Sequence, residues 1–297
     1  MKQKIQEQPL TPLIDLPVEC LTVLSSGIWM GTREGLWQLN PPSTTATRYA
    51  ERATVRDIAS TPTAVWFTTN TGEGLCWVRS GAGRAQSVGI PTNDRRTAQM
   101  LALVVFRSDL CVATEGGLFR YDPRRQRWEE PITQERHLSL SVSPLHLWAI
   151  SRDKITAYDR SFQPVDVQNF PAGGRPIYEN MRLQWVVTEE NQLTLYSYAT
   201  TAKSLHRHSF RLEGGVELRY PLRATSLFSY QGQRWVGLCE EPTRRFAPVR
   251  GALVRLDSTL QRTMIEVVGA GIVALGGWKG SLVLGTTDGV FLYERKI

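Results

Sequence analysis

The chain has 297 residues, 41% of them hydrophobic, and its 35 Lys and Arg against 28 Asp and Glu give a net charge of +7. That composition is ordinary for a packed globular protein, and a core of this size needs no disulfide or metal to hold it. Aromatic residues run along the whole length and no composition shift marks a linker, so one domain, residues 1–297, is expected.

In chain order, the N-terminus MKQKIQEQPL carries no apolar signal region, and Lys2 to Leu13 has extended character. An alternating run, Cys20 to Leu24, then leads into IWMGTREGLWQLN, Ile28 to Asn40. Related segments follow: VWFTTNTGEGLCWVRS from Val65, LCVATEGGLFRYD from Leu110, and LVLGTTDGVFLYE from Leu282. Three weaker copies, LWAISRDKITAYD, QWVVTEENQLTLYSY and RWVGLCEE, lie between the third and the last. One column holds Trp29, Trp66, Cys111, Trp148, Trp185, Trp235 and Val283. Three residues on, a second holds Thr32, Thr69, Thr114, Ser151, Thr188, Leu238 and Thr286. Two columns in step across the chain are the mark of a repeat architecture.

Each copy reads as strands: an alternating apolar run, the Trp strand, a tight turn such as Arg33-Glu34-Gly35, a third strand, and a more polar fourth. Helical periodicity is nearly absent. Four short antiparallel strands per roughly 40 residues make a propeller blade. The expected fold is all-β, a seven-bladed β-propeller of four-stranded antiparallel blades. The Trp column is expected to fill the wedge between blades, and the Thr column to lead into turns. The last copy lacks a fourth strand, and the N-terminal segment is expected to supply it and seal the ring.

The longest uncharged apolar stretch, Val267 to Trp278, is too short and Gly-rich to span a bilayer. Cys20, Cys76, Cys111 and Cys239 lack zinc spacing and sit in strand-like runs, so they read as small buried hydrophobes. With reduced cysteines and no export signal, a cytoplasmic location without membrane association is expected.

The stretch Trp29-Met30-Gly31-Thr32-Arg33-Glu34-Gly35-Leu36 resembles the two-component-regulator propeller repeat, and Ala113 to Asp122 followed by Trp128 is closer still. The resemblance implies the propeller. Sensors with such repeats carry them outside the cell, ahead of a membrane helix and a kinase; neither is visible here, so the sensor role does not carry over. A free-standing propeller is also similar to propeller components of bacterial ATPase and von Willebrand-type adaptor systems, which implies an adaptor role. The string Val65 to Thr68 resembles the streptogramin lyase propellers, which implies a His and Glu cluster with a metal.

Chemistry is sparse in this sequence. The four histidines are His137, His146, His206 and His208. His206 and His208 share a strand face and could form half a metal site, but no third ligand is visible. His137 opens an inner strand and could line a channel mouth. Glu115, Glu189, Glu190 and Asp288 fall at second-to-third strand turns, alternating with Arg33, Arg152 and Lys154. No enzyme activity, cofactor or metal is expected.

The basic charge attracts acidic protein faces, nucleic acid or anionic membranes, and arginine suits bidentate contacts. The second-to-third strand turns and the links between blades share one face, which gathers Arg33, Arg95, Arg96, Arg152, Arg175, Arg219, Arg223, Arg244, Arg245 and Arg250. The opposite face receives Arg84, Arg124, Arg125 and Arg127, and the first face is expected to be the richer. The sixth copy is interrupted by CEEPTRRFAPVRGA, a Pro-stiffened loop with Phe246 beside Arg244 and Arg245. The expected role is a non-enzymatic scaffold or adaptor within a larger bacterial complex, binding an acidic protein partner through Arg33, Arg95, Arg96, Arg152, Arg244, Arg245, Phe246 and Arg250. A metal-dependent lyase or lactonase is the alternative, and nucleic-acid binding ranks third for want of an aromatic stacking platform.

Overall fold

A computed structural model describes residues 10–70, 73–79, 83–91, 99–169, 176–189, 192–211, 222–240, 250–256 and 263–293. These residues form seven four-stranded antiparallel sheets, each a meander, and the fold is a seven-bladed β-propeller. Among the described residues there is no helix.

Blade one is Cys20–Leu24, Gly27–Thr32, Gly35–Leu39 and Ala46–Arg48, in that spatial order. Blade seven is Ile272–Trp278, Ser281–Thr286 and Val290–Tyr293, and its fourth strand is Thr11–Ile14. That strand runs antiparallel to Val290–Tyr293, with Thr11 opposite Leu292 and Ile14 opposite Val290. The N-terminus therefore completes the last blade, as its extended sequence implies; residues 1–9 lie outside the described part. The edge of Val290–Tyr293 would otherwise present unpaired backbone groups.

By packing, the chain forms two compact units: Glu19–Ala172, which holds blades one to four, and Gly173–Ile297 with Met1–Val18, which holds blades five to seven. Within each unit the Trp column does the packing expected of it. Trp29 lies in a core cluster with Val55, Ile58, Val65 and Phe67 of blade two. Trp66 packs with Met100, Leu103 and Leu110 of blade three, and Cys111 with Leu140 and Leu147 of blade four. Trp235 packs against Ile272, Leu275 and Leu282 of blade seven. Each such indole removes on the order of 200 Å² from water, which is why a large flat residue recurs at this place.

A wedge that tight also sets where a side chain is forbidden. A Cβ on Gly31 would stand 2.4 Å from Cys20 Sγ and 2.7 Å from Val55 Cγ1 of the next blade. Gly237 is caught in the same way, between Ser226 and Ile272. Two residues after the column Trp, a side chain would push the neighbouring inner strand away.

The Thr column is a turn lock. Thr32 Oγ1 donates to the Gly35 carbonyl at 3.0 Å and accepts the Glu34 N–H at 3.0 Å. Thr114 does the same with Gly117 and Gly116, and Thr286 with Gly289 and Asp288. Thr69 donates to Gly74. The hydroxyl thus satisfies backbone groups that a two-residue turn leaves open. Blade six departs from the pattern. Its second strand, Gln233–Glu240, runs two residues past Leu238, and the third resumes at Gly251 opposite Cys239. Glu240 takes the lock position: its N–H donates to the Arg250 carbonyl at 2.9 Å and its Oε2 accepts the Arg250 N–H at 3.0 Å. Leu238 is fully buried instead.

Candidate interaction surface

Because every blade is a meander, alternate turns lie at alternate ends of the strands. Second-to-third strand turns share an end with the links between blades; this is the link end. First-to-second and third-to-fourth turns lie at the opposite end.

The link end of blades one to four holds Arg33 and Arg152. Arg33 is exposed, but its Nε donates to Glu19 Oε1 at 2.7 Å, and Arg56 approaches the other oxygen of Glu19 at 3.5 Å. The Glu19 hydrogen bond holds the Arg33 guanidinium pKa above its ordinary value. Glu115 is held by Arg136 at 2.5 Å, and Glu135 by Lys154 at 2.7 Å. Arg152 is exposed and makes no ion pair among the described residues. Glu34, Glu51, Glu73 and Asp153 share this end without a cationic partner among the described residues, so carboxylates there offset the arginines. In the other unit, Arg250 is exposed at the base of the sixth-blade hairpin, where its backbone N–H and carbonyl both bond to Glu240. Arg95, Arg96, Arg244, Arg245 and Phe246 lie outside the described residues, as do most of the sixth-blade loop and Glu190.

The opposite end of blades two to four is different. Arg79, Arg84, Arg107, Arg124, Arg125, Arg127 and Arg160 stand there against Asp109, Asp122 and Asp159. Asp122 Oδ1 accepts the backbone N–H groups of Arg124 at 2.8 Å and Arg125 at 3.2 Å. Burial raises the Asp122 pKa, but these bonds and the two guanidinium charges outweigh it and hold the carboxyl below its ordinary value. Asp159 Oδ1 closes the matching turn of blade four through the N–H groups of Ser161 at 2.7 Å and Gln163 at 2.9 Å. Phe162, in left-handed backbone (φ 59°), reaches from that turn to Phe106 of blade three, ring centroids 5.8 Å apart. Arg120 covers the same ring at 4.8 Å and lies 3.7 Å from Asp109. Burial raises the Asp109 pKa despite that neighbour.

Two further features emerge only in three dimensions. A cleft of about 470 Å³ opens on the outer side of blades one and two, lined by Arg48, Glu51, Glu73, Cys76 and Arg84 among others. Arg48 is fixed there, stacked 5.1 Å over Trp37 and donating to the Ala50 and Glu34 carbonyls. The second is His137, which is fully buried and so lines no open mouth. Its Nδ1 lies 3.0 Å from Ser151 Oγ, which also donates to Glu135 Oε1 at 3.0 Å. Ser151 is the lock residue of blade four, turned from its own hairpin toward this cluster. Burial pushes the imidazole pKa down to about 4, Lys154 lowers it further and Glu135 opposes. The carboxylate meets the serine rather than the imidazole, so the trio lacks the order of a nucleophile–base–orienter relay.

His206 and His208 stand exposed two residues apart on Ser204–Arg211, the outer strand of blade five. Among the described residues, no group of three or more His, Cys, Asp or Glu could hold a metal ion.

No family model and no curated protein matches the chain. Among solved structures it is similar to the extracellular domain of a hybrid two-component system from B. thetaiotaomicron, with a TM-score of 0.71 and 14% identity. That match covers 99% of this chain and 43% of the other, so the chain spans less than half of it. It is also similar to BamB from Moraxella catarrhalis (TM-score 0.61, 13% identity, 99% and 98% covered). A third is the Pan2 WD40 domain from Neurospora crassa (TM-score 0.66, 11% identity, 97% and 96% covered). Identities this low show the propeller fold alone. The expected cytoplasmic location is nevertheless overturned by the first of these, an extracellular domain. The cysteines misled: Cys76 and Cys111 are buried and Cys20 and Cys239 half-buried, so they pack as small hydrophobes and report no redox compartment.

Proposed function

We propose that this propeller is a non-enzymatic docking module for a protein partner with an acidic surface. The supporting observation is that several exposed arginines, among them Arg107, Arg124, Arg152, Arg160 and Arg250, have no carboxylate partner among the described residues. Guanidinium groups left unpaired by their own fold are available for bidentate contact with carboxylates. Arg33, Arg95, Arg96, Arg244, Arg245 and Phe246 stand as further candidate contacts, Arg33 being already paired with Glu19. The Trp column adds to the reading by its use in packing, since Trp29, Trp66 and Trp235 lie in the core rather than in an aromatic cage.

Affinity purification of the full chain from its source cells at about 0.05 M and about 0.5 M salt tests this, since screening weakens contacts between exposed charges. A stoichiometric acidic protein retained at low salt and released at high salt is expected. A partner whose recovery ignores salt overturns the acidic-surface reading.

A further inference from the structure

We infer that the acidic partner docks on the opposite end of blades two to four, through Arg107, Arg124 and Arg160, rather than on the link end. This rests on the docking reading above and adds the place and the means of recognition.

Charge bookkeeping within this one unit separates the two ends. At the link end, Arg33, Arg56, Arg136 and Lys154 each lie within 3.5 Å of a carboxylate, and Arg52 and Arg152 are exposed without one among the described residues. At the opposite end, Arg107, Arg124 and Arg160 are exposed and make no ion pair among the described residues. The aspartates that accompany them are occupied locally. Asp122 and Asp159 each spend Oδ1 on backbone N–H groups of their own turns, and Asp122 Oδ2 lies 3.6 Å from Arg125. Those bonds fix the turn backbones that carry Arg124 and Arg160. Holding the backbone before binding lowers the ordering cost of a contact.

The three arginines form one surface. Arg107 adjoins Phe106, and Phe106 meets Phe162 of the turn that holds Arg160. Arg120 ties the same ring to Asp109, two residues from Arg107. Arg125 and Arg127 flank the patch and are drawn to Glu129 at 3.8 and 3.0 Å.

An acidic protein fits this patch better than a polyanion. Asp109, Asp122 and Asp159 interrupt the basic surface, which opposes a continuous phosphate backbone or an anionic bilayer. The ring of Phe162 lies beneath Arg120, so it offers no open face for a base to stack on. Complementary charge of mixed sign is the pattern of protein–protein steering and register.

The test uses the full chain and a poly-glutamate peptide as probe, with oligothymidylate and phosphatidylserine vesicles in parallel. One variant carries Arg107→Glu, Arg124→Glu and Arg160→Glu; a second carries Arg33→Glu and Arg152→Glu. Near-UV circular dichroism checks that both stay folded. The first variant is expected to lose about tenfold or more in affinity for poly-glutamate, and the second about twofold or less. Loss in the second variant alone overturns the placement and leaves the docking reading standing. Failure of the unaltered chain to bind poly-glutamate overturns the docking reading itself. Tighter binding of oligothymidylate or vesicles than of poly-glutamate overturns the choice of an acidic protein.

Discussion

Acidification to pH 5 should loosen blade four through His137. The imidazole is fully buried, and its Nε2 has no hydrogen-bond partner among the described residues. Its pKa falls from an ordinary 6.5 to about 4 on folding, chiefly because burial penalises the charged form. The unfolded chain then binds the extra proton first. Stability is complete above pH 6.5 and declines as pH falls toward 4. At about 1.4 kcal/mol per pH unit across this window, the loss is about 2 kcal/mol by pH 5 and about 3 kcal/mol by pH 4. Glu135 is also held below its ordinary value, by Lys154 and Ser151 against the effect of burial, and its contribution fades only below about pH 4.5. The interval from 6.5 to 5 therefore isolates the histidine. Native-state hydrogen exchange on Leu147–Ile150 and Lys154–Tyr158 reads local opening there. Protection in the unaltered protein should fall about 30-fold between pH 7.5 and 5, after correction for intrinsic exchange rates. His137→Asn, which cannot titrate, should remove most of that fall. An equal fall in both proteins would refute the assignment to His137.

Other expectations follow from the packing. Gly31→Val should destabilise blades one and two by about 1–3 kcal/mol in urea unfolding, because the added atoms meet Cys20 and Val55. Gly83→Ala, with open space around it, should change stability by less than about 0.5 kcal/mol; equal effects would discredit the wedge. Thr286→Val keeps the shape but removes the bonds to Gly289 and Asp288, and should cost about 1–2 kcal/mol in the same measurement. Cys76, whose thiol burial pushes up to about 12, and the fully buried Cys111 should resist a thiol reagent at pH 8 until the protein unfolds. Rapid labelling of either in the native protein would contradict their burial.

The fold was legible because its determinants repeat. Trp29, Trp66, Trp148, Trp185 and Trp235 recur where the wedge needs bulk, and Thr32, Thr69, Thr114 and Thr286 where a hairpin needs a local acceptor and donor. The column slipped at Leu238, since the lock there is a glutamate and the strand is two residues longer. A periodic pattern cannot register a change of both residue type and spacing. The surface was less legible. Whether an arginine is free depends on partners such as Glu19 for Arg33, or Glu115 for Arg136, that lie far off in sequence. Burial of His137 is a similar case: nothing in Glu135-Arg136-His137 distinguishes a covered imidazole from an exposed one, and its partner Ser151 lies 14 residues further on.

The strand Thr11–Ile14 gives synthesis on the ribosome a particular timetable. Its partner Val290–Tyr293 emerges almost an entire chain later. At about 5–20 residues per second, the early strand waits roughly 15–60 s with its ladder groups open. Blades one to four have all their strands in hand during that interval, whereas blade seven is finished only after translation of Tyr293. Until then the nascent chain carries a short unpaired strand, and chaperone capture of that strand, rather than of any completed blade, would be the point of control over yield.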